Sequence, residues 1–309
     1  MIEHRIVSLL PSATEIVAAL GYEHTLVGRS HECDFPASVK SLPVCSEPRI
    51  DVSGMSDQID KAVAGAIREA LSVYRVFSDE LNRLQPTIII TQTQCDVCAV
   101  SLRDIEAAVC EFAETKPVIV ALQPMALCDI LSDMRQVANA IGDEAAGERL
   151  VGKLQRRFAD LAATRPTKSP FPTVACIEWL DPLMVAGNWI PELVELAGGQ
   201  PVLCESGKHS PWIKWGDLLK SDPDYVVIMP CGFDIHRTVS ELHLLTEHPS
   251  WQRLNAVRNN RVFLADGNQY FNRSGPRVIE SAEILTEILH GYPSRSNYCG
   301  FGWRPLNSD

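Results

Sequence analysis

Short runs rich in β-branched and other apolar residues punctuate the first part of the chain, at positions 6–10, 25–28, 87–91 and 118–122, and each is strand length. Between them lie segments with helical spacing of apolar positions, notably 14–20 and 101–114. Strand alternating with helix predicts a parallel sheet with crossover helices. The longest periodic stretch follows, from 125 to 164. There Leu127, Ile130, Leu131, Met134, Val137, Ala138, Ile141, Ala145, Leu154, Phe158 and Leu161 recur at three- and four-residue steps. At ~1.5 Å per residue a straight helix of this extent reaches ~60 Å, more than one small lobe needs, with Gly142 a point where it bends. Three prolines between Pro166 and Pro172 end it. A second alternation then runs through strands at 174–178, 225–229 and 262–265 and helices at 191–197, 215–220, 250–255 and 276–290. The predicted fold class is α/β: two Rossmann-like lobes with parallel sheets, 1–124 and 166–309, joined by a long spine helix over 125–165.

Bulk properties narrow the function. A chain of 309 residues suits two cores rather than one. A formal net charge of -11 argues against a nucleic-acid partner, which requires clustered Lys and Arg. No stretch approaches the roughly 18–20 uncharged apolar residues of a membrane span. The opening residues Met1 to Val7 run into a strand without a basic region and apolar core, so the expected location is cytoplasmic. In that setting the ten cysteines are read as thiols or ligands, not as a disulfide framework.

Candidate chemistry is sought beyond the carboxyl ends of the strands, where open parallel sheets bind ligands. Ser12 and Thr14 follow the first strand and are placed to cap a helix. His31-Glu32-Cys33-Asp34-Phe35 follows the second, Gln94-Cys95-Asp96-Val97-Cys98 the third, and Pro230-Cys231-Gly232-Phe233-Asp234 a strand of the second half. Cys33, Cys95, Cys98 and Cys231 thus make a candidate set for a metal ion or an iron–sulfur cluster, with His31 a substitute donor. A redox dithiol at Cys95 and Cys98, or plain reduced thiols lining a site, are the alternatives. Trp179, Trp189, Trp212, Trp215, Tyr270 and Phe271 fall in or beside second-half loops, and broad rings suit a large flat ligand; core packing is the competing fate of each. Glu178, Asp181 and His209 are candidates to orient a ligand by hydrogen bonds, and Arg273 and Arg277 to hold an anionic group. No nucleophile elbow, P-loop, paired-histidine helix or dinucleotide fingerprint is present, so an enzyme has no positive motif beyond its thiols.

These residues resemble a known family. Ile6-Val7-Ser8-Leu9-Leu10-Pro11-Ser12-Ala13-Thr14-Glu15, Leu20-Gly21 and Val27-Gly28 are similar to the opening of the cobalamin- and iron-siderophore-binding proteins of ABC importers, the class III periplasmic-binding-protein-like family. Leu84-Gln85-Pro86-Thr87-Ile88-Ile89, Ser221-Asp222-Pro223-Asp224-Tyr225-Val226-Val227 and Ser274-Gly275-Pro276-Arg277 extend the resemblance over about residues 4–292. It implies a two-lobed fold with a corrinoid or ferric siderophore in the interlobe cleft, and within it the chain resembles a branch without an export signal taken to bind cobalamin. The candidate ligand residues are Ser12, Phe35, Glu178, Trp179, Trp189, His209, Trp212, Phe233, Tyr270, Phe271 and Arg277. Importer components also present one acidic residue per lobe to permease arginines. The second-lobe position resembles Asp217, but the first-lobe region reads Ala99-Val100-Ser101-Leu102-Arg103, so permease docking is not expected. The expectation is a cytoplasmic cobalamin-binding protein without catalysis; the alternatives are a metal or iron–sulfur protein built on the cleft cysteines, and an importer solute-binding component.

Overall fold

The computed structural model describes residues 4–68, 72–93, 102–109, 116–164, 170–291 and 297–307. In chain order the first half runs β1 (Ile6–Ser8), α1 (Pro11–Ala19), β2 (Leu26–Arg29), β3 (Ser46–Pro48), α2 (Ser56–Arg68), β4 (Tyr74–Val76), α3 (Ser78–Leu84), β5 (Ile88–Gln92), α4 (Leu102–Val109) and β6 (Val118–Leu122). Helices α5 (Leu127–Ile141) and α6 (Glu144–Thr164) follow. The second half runs β7 (Thr173–Trp179), β8 (Met184–Val185), α7 (Ile190–Leu196), β9 (Gln200–Pro201), α8 (Trp215–Ser221), β10 (Tyr225–Ile228), α9 (Ile235–Glu241), α10 (His243–Thr246), α11 (Asn255–Arg258), β11 (Val262–Ala265), α12 (Val278–His290) and β12 (Trp303–Pro305).

The chain divides into two compact units. The first comprises residues up to Gly54, Gln58–Pro124 and Cys128–Leu154; the second comprises Met55–Asp57, Met125–Leu127 and everything from Gln155. In the first, a four-stranded parallel sheet has the order β2-β1-β5-β6, and β3 and β4, separated in sequence by α2, pair antiparallel as a second, two-stranded sheet. Every residue of β5 is buried, as a central parallel strand covered on both faces requires. In the second unit the order is β12-β11-β10-β7-β8, with β9 also pairing with β7. The β7, β10 and β11 strands are mutually parallel, while β8 and β12 add antiparallel edges. The fold is the α/β class expected, with the second sheet mixed rather than purely parallel.

The periodic run 125–164 is two helices, not one. Gly142 takes φ +82, its N–H donates to Asn139 and that of Asp143 to Ala138, the double closure of a glycine-terminated helix end. Asp143 Oδ1 then accepts the Ala146 N–H at 2.8 Å, so one aspartate starts the next helix where the glycine stops the last.

One local unit occurs in both halves. Helix α3 ends on Gln85 at φ 44, with Pro86 and then β5; α8 ends on Asp222 at φ 38, with Pro223 and then β10. Each αL residue closes its helix by donating four residues back, to Leu81 and Leu218 respectively. Because each helix leads into a parallel strand, its first turn lies toward the carboxyl edge of its own sheet. Asp79 and Glu80 occupy that turn in α3, and Asp217 occupies it in α8. The first-half counterpart of Asp217 is therefore in α3. Of the segment compared above, residues 99–101 lie outside the described residues.

Candidate functional site

The carboxyl edge of the second sheet gathers most of the polar and aromatic candidates. Strand β7 alternates Ala175 and Ile177 into the core and delivers Glu178 and Trp179 at its end. Glu178 is buried and accepts a short hydrogen bond from the Ser210 hydroxyl, which itself accepts the Gly187 N–H at 3.0 Å. Burial pushes the Glu178 carboxyl up to about 7, with the Ser210 bond opposing the rise. A side chain at Gly187 would meet the Lys208 carbonyl at 2.5 Å, so glycine is what lets the strand-end loops close on each other here. The next residue, Asn188, binds the same loop through its backbone, donating to Lys208 at 2.6 Å and accepting from Gly207 at 3.0 Å.

Trp179 packs on Phe233 with ring centroids 5.4 Å apart, and the Arg237 guanidinium lies 4.8 Å from the Phe233 centroid on its way to Glu241. The turn after β10 holds Phe233; its carbonyl accepts Asn268 N–H, fastening it to the segment after β11. That segment opens with Asp266, which accepts Gln269 N–H at 2.7 Å, and winds through a π turn, Gly267–Phe271. Burial raises the Asp266 carboxyl above its usual range, with the nearby Asp234 adding to the shift. A Cβ on Gly267 would stand 2.1 Å from the Pro230 carbonyl, the tightest approach of any glycine described. Arg273 is buried and its guanidinium donates to the Asn268 carbonyl, while Arg277 donates to Gln269 Oε1 at 3.1 Å and lies 5.5 Å from the Tyr270 centroid.

The remaining second-unit candidates separate by exposure. Trp212 is 55% exposed beside Met184 of β8, and His209 is exposed in the preceding loop. Trp189 is buried at the start of α7, Tyr270 stacks edge-on to Tyr298, and Phe271 is fully buried, so its ring serves the core. Ser210, Gly187, Asn188 and Arg237 join this site without having been singled out in the sequence. Only the Ala186-Gly187-Asn188 turn between apolar runs hinted at them.

At the carboxyl edge of the first sheet lies a compact hydroxyl–thiol network. Thr14 Oγ1 donates to Ser8 Oγ at 2.8 Å and contacts Cys33 Sγ at 3.0 Å; Ser30 Oγ meets the same sulfur at 3.1 Å. Thr14 is thereby used inside the fold, and the α1 N-cap is Leu10 with no side-chain cap, so neither Thr14 nor the buried Ser12 caps the helix. Burial raises the Cys33 thiol, which holds it in the protonated form. His31 packs on Tyr74 at 5.5 Å and meets Ser46 Oγ at 3.2 Å through Nδ1; burial lowers its affinity for a proton. Phe35 is 43% exposed. Beside the end of β6, Asp133 is buried, accepts the Gln123 N–H, and is pushed up to about 7 by burial.

Cys95 and Cys98 lie outside the described residues. Cys231 is half-buried in the turn after β10, its N–H donating to the Glu178 carbonyl. Among the described residues, no three His, Cys, Asp or Glu side chains gather as a metal-holding group. No described helix is long and apolar enough to cross a membrane.

Two α/β units, each with polar loops at the carboxyl ends of its parallel strands, define a substrate-binding protein of the two-lobed type. The periplasmic binding protein family model matches residues 6–268, and the chain belongs to that family. It is 22% identical over 292 residues to a vitamin B12-binding protein of Vibrio cholerae, covering 92% of this chain and 88% of that one. It is 20% identical to an uncharacterised ABC transporter substrate-binding lipoprotein of Bacillus subtilis, covering 93% of this chain and 80% of that one. A periplasmic heme binding protein from Pseudomonas aeruginosa superposes with a TM-score of 0.70 at 20% identity, covering 94% of each chain.

Proposed function

We propose that this chain binds a corrinoid on the loops at the carboxyl edge of its second sheet, as a carrier or sensor without catalysis. The observation that carries this reading lies in the second unit: Trp212, a large ring left 55% exposed beside Met184, which registers with the half-buried Trp179 that packs on the buried Phe233. A corrin ring is broad, flat and edged with amides, and exposed indole and thioether surface suits such a face. The similarity to the Vibrio cholerae protein supports the same ligand class. Purified protein mixed with hydroxocobalamin is expected to carry the pigment through gel filtration at one ring per chain, with a displaced absorption band. Free pigment eluting separately, with an unshifted spectrum, would overturn the reading. Hemin retained in its place would turn it to a porphyrin.

A second reading, an importer component that docks on an ABC permease, is favoured by the repeated helix–proline–strand unit with carboxylates in its first turn. Asp217 also accepts the Lys214 N–H at 3.0 Å, so asparagine removes its charge while keeping an acceptor there. Joint Asp79→Asn and Asp217→Asn substitution is expected to cut corrinoid uptake by cells about tenfold while leaving binding by the purified protein as it was. Uptake at the parental rate would remove this reading.

A further inference from the structure

Resting on the corrinoid reading, we propose that the strand-end site of the second unit selects ligands whose peripheral groups are carboxamides over ligands that carry carboxylates, and that Glu178 is the residue setting this preference. The distribution of charge around the site points this way. Its guanidinium groups already have protein acceptors: Arg237 pairs with Glu241 at 2.7 Å, Arg273 donates to the Asn268 carbonyl at 2.7 Å and to its side-chain oxygen at 3.3 Å, and Arg277 donates to Gln269. Among the carboxyl groups of the same edge besides Glu178, Asp234 and Asp266 accept N–H groups of the turns that follow them, and Asp181 is exposed in the β7–β8 turn. A carboxylate brought against Glu178 or Asp266 meets a buried acid, whereas Lys208 and His209 lie on the exposed loop before Ser210.

Hydrogen-bonding capacity gives an independent indication. Trp179 Nε1, Trp189 Nε1 and Asn188 Oδ1 are buried and make no hydrogen bond within the described protein. Buried polar groups are normally satisfied, so these atoms mark places built for a partner. They comprise two donors and one acceptor, on the residues that flank the Glu178–Ser210–Gly187 chain of hydrogen bonds. A carboxamide offers a carbonyl to the donors and an N–H to the acceptor, whereas a carboxylate offers acceptors only.

Glu178 sharpens the choice. An amide suits either state of this group, accepting from the protonated carboxyl or donating to the ionised one. A carboxylate suits only the protonated state, because two like charges in a buried site penalise each other. Burial places the changeover at about 7, so the preference for amides grows as pH rises through neutrality. The other titratable groups on the elements around Glu178 include Cys176 on its own strand and Asp181 in the turn after it, Cys231, Asp234 and Arg237 after β10, Asp266 after β11, and Cys204, Lys208 and His209 in the loop that leads to Ser210.

The test titrates the full chain with cobinamide, whose ring substituents are amides, and with the same corrinoid as its free acid, at pH 6 and pH 8.5. Ligand carboxylates stay ionised throughout this interval. Cobinamide affinity is expected to hold steady, while that of the free acid falls by about tenfold or more at the higher pH. In Glu178→Gln that fall is expected to vanish. Equal affinities for the two ligands at pH 8.5, or an unchanged fall in a folded Glu178→Gln protein, would overturn the selectivity and leave the corrinoid reading in place. Failure to bind either corrinoid would overturn both. Should Glu178→Gln not fold, Ser210→Ala removes the hydrogen bond that favours the ionised form, and the midpoint of the fall is expected to move to higher pH; a fixed midpoint counts against the proposal.

Discussion

Gly267→Ala is expected to lower the stability of the second unit by about 3 kcal/mol, a drop of roughly 6–12 °C in its melting temperature. The added methyl would sit 2.1 Å from the Pro230 carbonyl and 2.6 Å from that of Met229, both backbone atoms that cannot rotate away. The loops after β10 and β11 must separate to admit it. That separation strains the Asn268 N–H bond to the Phe233 carbonyl and displaces Phe233 from Trp179, so the proposed corrinoid binding should weaken along with stability. Gly216→Ala is the matched control: it lies in α8 with nothing within 4 Å of the new methyl, and alanine there is expected to be neutral or to stabilise by up to about 1 kcal/mol. Thermal and urea unfolding of the two variants measure the difference. Equal stability of both would show that the close approach is not tight.

Glu287→Leu should have a comparable effect through a different mechanism. Glu287 is buried on α12 and its two oxygens accept the Tyr298 N–H at 3.2 and 3.0 Å, while Oε2 also accepts the Trp303 indole at 2.6 Å. Beside it Glu283 accepts the Tyr298 hydroxyl at 2.9 Å and pairs with Arg157 at 2.8 Å. These bonds hold the 297–307 segment in place, and with it β12, whose Trp303 registers with Ala265 of β11. Leucine fills the volume but leaves two buried donors unmatched, a cost of about 2–4 kcal/mol, and glutamine, which keeps one acceptor, should cost about half as much. Hydrogen exchange of β11 amides should accelerate in the leucine variant as the edge strand loosens. An unchanged urea midpoint and unchanged exchange would show that the carboxylate does not hold the segment.

Most of the framework was legible in the chain because parallel strands buried on both faces appear as short apolar runs, and Ile6–Ser8, Ile88–Gln92, Val118–Leu122 and Tyr225–Ile228 fall within a residue or two of where that reading puts them. Short additions such as the antiparallel β8 and β12 and the parallel β9 carry too few residues to show a period. Helix α2 is amphipathic yet lies outside the elements that the pattern of short apolar runs marks, and the run 125–164 is divided at Gly142, where a glycine and an aspartate together stop one helix and start the next. The site was legible as residue types at strand ends and not as partnerships. Nothing in the sequence distinguishes the exposed Trp212 from the buried Trp189, or shows that Thr14 and Ser30 converge on Cys33, because those outcomes depend on side-chain direction across elements distant in sequence.

In the proposed corrinoid complex, Trp212 and its neighbours at the carboxyl edge of the second sheet form the surface on which the flat ring rests. Calorimetric titration of the parent protein and of Trp212→Ala with hydroxocobalamin measures this directly, since an exposed side chain can be removed without disturbing the core. One ring bound per chain by the parent, with affinity lowered about tenfold or more by the substitution, is the predicted result. Identical affinity for the two proteins, or no heat with either, would contradict it.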